Sequence, residues 1–232
     1  MKLRGNLRRI SQSFMNKVLS WFCKIFLAPF FSLLFLKKVE GKENIPHSNF
    51  ILVSNHLSYL DILVDGYICL PRSFCFIGQI DGFKGILKKL VLLAYFFTGT
   101  IPLDRKSQAS KKNCFQKSIE VLKKGNILVL YPEGTRSKNG KLQEFKNGFA
   151  RIFLKTGFPI LPVVLKGTYE LLPPHGKLKI KKIIEAKILP PLYFKEEFEK
   201  AKKFSEESED YQKIIKEITQ KTWEEMAKVL KS

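Results

Sequence analysis

Histidine is scarce in this sequence. Three residues, His47, His56 and His175, are the whole supply in 232, so any chemistry that needs an imidazole has three places to find one. The four cysteines, Cys23, Cys69, Cys75 and Cys114, form no C-x-x-C pair, and none lies beside a histidine at zinc-ligand spacing. That pattern offers no metal site and fits free thiols in a reducing compartment. Acidic residues are few: 21 against 41 Lys and Arg, a net charge of +20. Such a balance suits nucleic acid, an anionic membrane surface or phosphorylated ligands without choosing among them. Long hydrophobic runs are missing too. The most apolar stretch, residues 18–36, is interrupted by Lys24 and Pro29 and ends at Leu36-Lys37-Lys38. It has neither the unbroken centre and small-residue cleavage site of a signal peptide nor the ~20 apolar residues of a simple transmembrane helix.

What the sequence does have is apolar mass: 45% hydrophobic residues, 20 of them Phe. This is enough for one compact domain plus an appendage. Residues 18–36 read as two short helices bent near Pro29, lying in a membrane interface with basic flanks toward anionic lipid. A helical hairpin packed on the core is the competing reading. We divide the chain into residues 1–40, an N-terminal membrane-associated helical segment, and residues 41–232, the globular domain.

Four short apolar runs bounded by turn residues, 50–54, 74–77, 127–131 and 160–165, read as buried strands. Helical patterns lie between them at 59–68, 83–97 and 107–124. Ile86, Leu87, Leu90, Leu93 and Ala94 share one stripe of the second, and Gly125 stands at the C-cap of the third. The alternation predicts an α/β fold: a mostly parallel central sheet flanked by helices. Residues 177–189, lysine-rich and alternating, read as an edge strand or hairpin. Ile214, Ile215, Ile218, Trp223, Met226 and Leu230 mark an amphipathic helix at the C-terminal end, docked on the core.

Four segments carry candidate chemistry. Asn55-His56-Leu-Ser-Tyr-Leu-Asp61 follows the first strand. Residues five apart on a helix diverge by about 140°, so His56 and Asp61 meet only if His56 lies in the preceding loop and Asp61 in the first turn. Ser58-x-x-Asp61 resembles a capping box, which places the helix start there. Asp61 would then fix the imidazole tautomer and leave the other nitrogen as a general base. The pair taken alone serves equally as a capped turn holding a histidine. Glu133-Gly134-Thr135-Arg136 follows another strand. Gly134 permits a tight turn, Arg136 can grip a phosphate, and Glu133 can hold the arginine or a substrate group. The spacing from Gly134 to Gly140-Lys141-Leu142 is wrong for a phosphate-binding P-loop. Arg105 ends a third segment, Gly99-Thr-Ile-Pro-Leu-Asp-Arg, and supplies a second cation. Pro159-Ile-Leu-Pro162-Val forms a fourth, a proline-bearing strand beside a pocket. Ligands of open α/β sheets bind at the carboxyl ends of strands, so parallel strands would bring these segments together.

In order and spacing, these four segments resemble the glycerolipid acyltransferases over residues 40–190. His56–Asp61 matches H-x-x-x-x-D, Glu133–Arg136 matches E-G-T-R, and Gly99–Arg105 matches G-x-x-F-I-D-R with Pro102 and Leu103 substituted. The sequence is most similar to the 1-acyl-glycerol-3-phosphate acyltransferases. The resemblance implies a glycerolipid acyltransferase-like fold and acyl transfer from a thioester, acyl-CoA or acyl-carrier protein, to the 2-hydroxyl of lysophosphatidate. It implies His56 and Asp61 as catalytic residues, and Arg105, Glu133, Gly134, Thr135 and Arg136 as substrate-binding residues. Backbone N–H groups near the helix start would meet the oxyanion. No metal or other cofactor is implied. The expected location is the cytoplasmic face of a membrane, held peripherally or monotopically. Gln79 stands where many members have a lysine, which keeps other phosphorylated acceptors, glycerol 3-phosphate or another lysophospholipid, in view. A nucleic-acid-binding protein is the competing class; the phenylalanines sit in apolar runs rather than interleaved with basic residues, and no nucleic acid is expected as partner.

Overall fold

The computed structural model describes residues 18 and 20–231; residues 1–17 of the expected N-terminal segment lie outside the described range. Seven strands form one sheet: β1 (Leu36–Glu40), β2 (Ile51–Ser54), β3 (Phe74–Gln79), β4 (Ile101–Leu103), β5 (Ile127–Leu130), β6 (Ile160–Lys166) and β7 (Ile184–Ile188). Their spatial order is β1-β7-β6-β2-β5-β3-β4. Strands β6, β2, β5, β3 and β4 are mutually parallel, and β7 runs antiparallel to β6 and parallel to β1. All four apolar runs predicted from the sequence are strands of this sheet. They are legible because neighbours on both edges and helices on both faces leave them no polar side.

The pleat sorts the core in two. Ile51 and Val53 point to one face, with Cys114, Leu122, Phe149, Phe153, Ile215 and Ile218. Phe50 and Leu52 point to the other, with Phe35, Leu60, Val64 and Ile68. The helices segregate accordingly. α1 (Ala28–Phe35) and α2 (Leu60–Cys69) cover the second face. α3 (Gly85–Thr98) joins them: Phe74 and Phe76 pack on that side, residue 78 points the same way, and the Tyr95 ring fills the space a side chain at Gly78 would need. Right-handed crossovers from β2 to β3 and from β3 to β4 place both helices there. α4 (Gln108–Lys123) and α5 (Gly148–Thr156) cover the opposite face. The short α6 (Thr168–Leu171) follows β6. α7 (Lys195–Ala201) precedes the long amphipathic α8 (Glu209–Lys231), whose Ile214, Ile215, Ile218 and Met226 are buried in that same layer.

Four expectations change. The stretch 177–189 contributes β7, which is interior, because Leu36–Glu40 forms the edge strand outside it. Residues 36–40 therefore belong to the sheet, although their two lysines read as the flank of a membrane segment. The Pro159–Pro162 strand is not beside a pocket: β6 lies between β2 and β7, and Pro162 pairs with Val53. Its missing N–H falls between the Ile160–Leu192 bridge and the start of the β6–β7 ladder. Finally, no break in the helical backbone separates two helices at Pro29. A π-helical stretch, Cys23–Leu27, leads directly into α1, with Pro29 in the first turn. Ala28 N–H bonds the carbonyl of Cys23, and the proline follows where its lost N–H is tolerated.

Candidate active site

The carboxyl end of β2 passes into a short loop before α2. Asn55 fixes that loop: its carboxamide donates to Leu165 O at 3.0 Å and accepts from Leu165 N–H at 2.8 Å, as a strand partner would. His56 follows, and its Nδ1 lies 2.9 Å from Asp61 Oδ2. The geometry demanded by the spacing is present, a loop histidine against a helix-start aspartate. The Asp61 side chain is fully buried and the His56 side chain 16% exposed. The same carboxylate oxygen accepts the N–H groups of Leu57 at 2.6 Å and Ser58 at 2.7 Å. An oxygen receiving two amides acts as an acceptor toward the ring as well, so Nδ1 carries the proton and Nε2 presents its lone pair. Ser58 Oγ receives the Leu60 N–H at 3.1 Å, close to the predicted cap. These contacts also use up the amides of Leu57, Ser58 and Leu60, so they are not the oxyanion donors that the resemblance implies.

Tyr131, at the carboxyl end of neighbouring β5, lies under the imidazole: the ring centroids are 4.0 Å apart and the planes 14° from parallel. Asp65, one turn beyond Asp61, is fully buried behind the pair. Its carboxyl faces the Tyr131 hydroxyl and Ser54 in contacts looser than regular hydrogen bonds. Burial, with Asp61 nearby, pushes Asp65 well above the usual carboxylate range. The same burial disfavours a second carboxylate charge behind the dyad.

Glu133 does not hold an arginine or face the cleft. Its Oε1 accepts the His56 backbone N–H at 2.8 Å, and its Oε2 accepts Gln143 N at 3.2 Å and Gln143 Nε2 at 2.9 Å. The Ser137 N–H returns to His56 O at 2.7 Å. Glu133 thus clamps the histidine loop to the Glu133–Arg136 turn. Burial lifts its pKa to about 7, against the pull of those hydrogen bonds. Gly134 adopts φ +73°, and a Cβ there would meet Lys146 Nζ at 2.6 Å. Glycine serves both the turn and the approach of that ammonium. Thr135 is exposed on the cleft wall, its carbonyl accepting Gln143 Nε2.

Two arginines flank the turn. Arg136 stacks its guanidinium over Tyr59 at 3.7 Å, and its buried NH1 has no hydrogen-bond partner among the described residues. Arg105 is held in place by Asp81, with NH2 3.0 Å from Oδ2, and by Gly134 O, 3.3 Å from NH1. Gln79 reaches the same Asp81 at 3.2 Å. His56, Arg105, Gly134, Thr135, Arg136 and Lys146 all line one open cleft of about 1990 Å³. A drug-sized ligand occupies roughly 300–1,000 Å³, so the cleft is larger than one such ligand needs. Apolar side chains, among them Ile62, Phe76, Leu103 and Phe115, line other parts of it. Sequence reasoning missed Tyr131, Tyr59, Asp65, Asp81, Gln143 and Lys146. Only Tyr131 carried a signal, its position directly before the Pro132-Glu133 turn.

A histidine paired with an aspartate, and two guanidinium groups, thus line one cleft of an α/β protein with a mostly parallel sheet. The comparisons place it more narrowly. Residues 37–166 match the Acyltransferase family model, and the chain belongs to that family. It is 33% identical over 178 residues to a chloroplastic 1-acyl-sn-glycerol-3-phosphate acyltransferase of Arabidopsis thaliana, covering 73% of this chain and 48% of that protein. A 1-acyl-sn-glycerol-3-phosphate acyltransferase of Borreliella burgdorferi is 34% identical over 131 residues, covering 56% of this chain and 51% of that protein. The chain spans about half the length of these curated relatives. The crystal structure of the 1-acyl-sn-glycerophosphate acyltransferase PlsC from Thermotoga maritima superposes with a TM-score of 0.59 at 30% identity, covering 97% of this chain and 84% of that one.

Proposed function

We propose that this protein transfers an acyl chain from acyl-CoA or acyl-carrier protein to the 2-hydroxyl of 1-acyl-sn-glycerol 3-phosphate, giving phosphatidic acid. The observation that carries this reading is the His56–Asp61 dyad opening on a cleft that also holds Arg136 with an unpaired, buried NH1. In this reading Nε2 of His56 takes the hydroxyl proton as the oxygen attacks the thioester carbonyl. The tetrahedral intermediate expels the thiolate, and the imidazolium returns its proton to that sulfur. Asp61 holds the ring and balances its transient charge. Arg136 grips the phosphate, with Arg105 and Lys146 adding positive charge, while Glu133 and Gly134 shape the turn that presents them. Lys146 supplies a cation on the cleft wall where Gln79 has none. The activity for which the relatives are named supports lysophosphatidate as acceptor, and no step requires a metal. Peripheral attachment to the cytoplasmic face of a membrane belongs to the same reading. It is supported by the exposed apolar side chains of Trp21, Phe22, Ile25, Phe26, Phe30 and Leu33, while no helix of the described residues is long and apolar enough to cross a bilayer.

The test is turnover of a panel of acceptors (lysophosphatidate, glycerol 3-phosphate, other lysophospholipids) with each thioester donor. Acylation of lysophosphatidate that disappears in a folded His56→Ala variant is expected. Undiminished turnover in that variant would refute the base assignment, and preference for another acceptor would replace the substrate.

A further inference from the structure

The stripe Ile86, Leu87, Leu90, Leu93 has the periodicity of a buried helix face, yet the fold turns it outward. Ile86 is 78% exposed and Leu93 53% exposed. α3 is tied to the sheet by another side, through Tyr95 on Gly78. α2, on the same face of the sheet, exposes Ile62 and Leu63, and Tyr59 directly before it is exposed too. α1 and the π-helical stretch before it, again on that face, expose Phe26, Phe30 and Leu33. Three successive helices of one layer therefore present apolar side chains to the outside. Soluble monomers rarely leave so extended an apolar surface uncovered.

Charge separates the two layers equally well. α1, the π-helical stretch and α3 contain no acidic residue, and the two aspartates of α2, Asp61 and Asp65, are buried. The ionic groups on these elements are Lys24, Lys88 and Lys89, with Lys84 at the start of α3. The opposite layer carries mixed charge in ion pairs, among them Lys221 with Glu197 and Glu217, and Lys228 with Glu225. An apolar surface set only with lysines is complementary to an anionic lipid bilayer.

We propose that α1, α2 and α3 together form one bilayer-docking face, in which α3 is a membrane contact in its own right. The cleft reaches this face: Tyr59 at the start of α2, Ile62 within it and Ala94, Tyr95 and Thr98 of α3 line it together with His56. The acceptor enters between α2 and α3 from the lipid, its chain never crossing water. This rests on the peripheral-membrane reading given above and adds to it the surface that does the docking.

Co-sedimentation of the full chain with vesicles tests it, using phosphatidylcholine alone and phosphatidylcholine with one quarter phosphatidylglycerol. Ile86→Glu/Leu90→Glu is expected to weaken binding to both by roughly tenfold or more. Lys88→Glu/Lys89→Glu is expected to abolish the preference for anionic vesicles. Lys117→Glu/Lys123→Glu, on the opposite layer, is expected to bind as the parent does. Circular dichroism, and turnover of a short-chain acceptor dispersed as monomers, verify that the α3 variants are folded. If the parent binds anionic vesicles and both α3 variants bind equally well, the role of α3 is refuted and the membrane reading stands. If the parent itself does not bind, both fall. A dimer in size-exclusion chromatography that the Ile86→Glu/Leu90→Glu variant dissolves, with vesicle binding unchanged, would assign the face to a second copy and overturn the proposal.

Discussion

The imidazole of His56 lies flat on the phenol ring of Tyr131, 4.0 Å between centroids. One edge of the ring is held by Asp61 and its face by Tyr131, so the base has little freedom to turn away from the cleft. The Tyr131 hydroxyl is buried without a regular hydrogen bond. Tyr131→Phe should therefore keep the activity and alter stability by no more than about 1 kcal/mol. Tyr131→Ala should lower kcat by roughly tenfold and cost about 3–5 kcal/mol, as large-to-small changes in a packed site do. Steady-state kinetics and denaturant unfolding of the two variants would show it; equal kcat in both would mean that the stack does not position the base.

Asp61→Asn preserves the shape of the side chain and an oxygen able to accept the Leu57 and Ser58 amides. It removes the charge that balances an imidazolium. The expectation is a fall in kcat of about 10²–10⁴-fold with little change in KM for either substrate. A rate close to that of the parent would reduce Asp61 to a capping residue.

Glu133 gives the protein a pH-dependent stability. Its folded pKa is about 7 and its ordinary value 4.5. Between those values the folded state holds a proton that the unfolded chain has lost, so this contribution is complete below the window and disappears as pH rises through it. At about 1.4 kcal/mol per unit, the loss amounts to about 3 kcal/mol. Asp65 drifts in the same direction, so the comparison must be made by difference. The unfolding free energy of the parent minus that of Glu133→Gln should shrink by about this amount from below the window to above it. A pH-independent difference would contradict the assignment.

Arg136→Ala should raise KM for the phosphorylated acceptor by roughly tenfold or more and leave KM for the thioester unchanged. Arg136→Lys should not restore it, because the planar guanidinium is what stacks on Tyr59. An acceptor KM unaffected by either change would move the phosphate elsewhere in the cleft.

The central strands were readable because burial on both faces strips them of polar residues. β1 was not: Leu36-Lys-Lys-Val-Glu40 is an edge strand with its charges outward, joined to an apolar helix with no turn residue between. For α3, helical period showed which residues share a face but not where the face points, since an inward and an outward stripe have the same spacing. The dyad was accessible from the five-residue gap, which admits one geometry. Glu133 was misjudged because its partners, His56 and Gln143, are 77 and 10 residues away and offer backbone groups that no sequence pattern displays. Tyr59 and Asp65 gain their roles only when the loops close on one another.

α1 ends at Phe35 and β1 begins at Leu36. With α1 embedded in a bilayer, the sheet would have no swivel: the strand that edges it is the continuation of its anchor. A flexible leash lets a domain sample every orientation above a surface and wait for a productive one. This protein would instead travel as a fixed plate, its tilt set once by the register of Leu36 with Ile184, so that finding a substrate becomes a matter of sliding in two dimensions rather than of turning to face it.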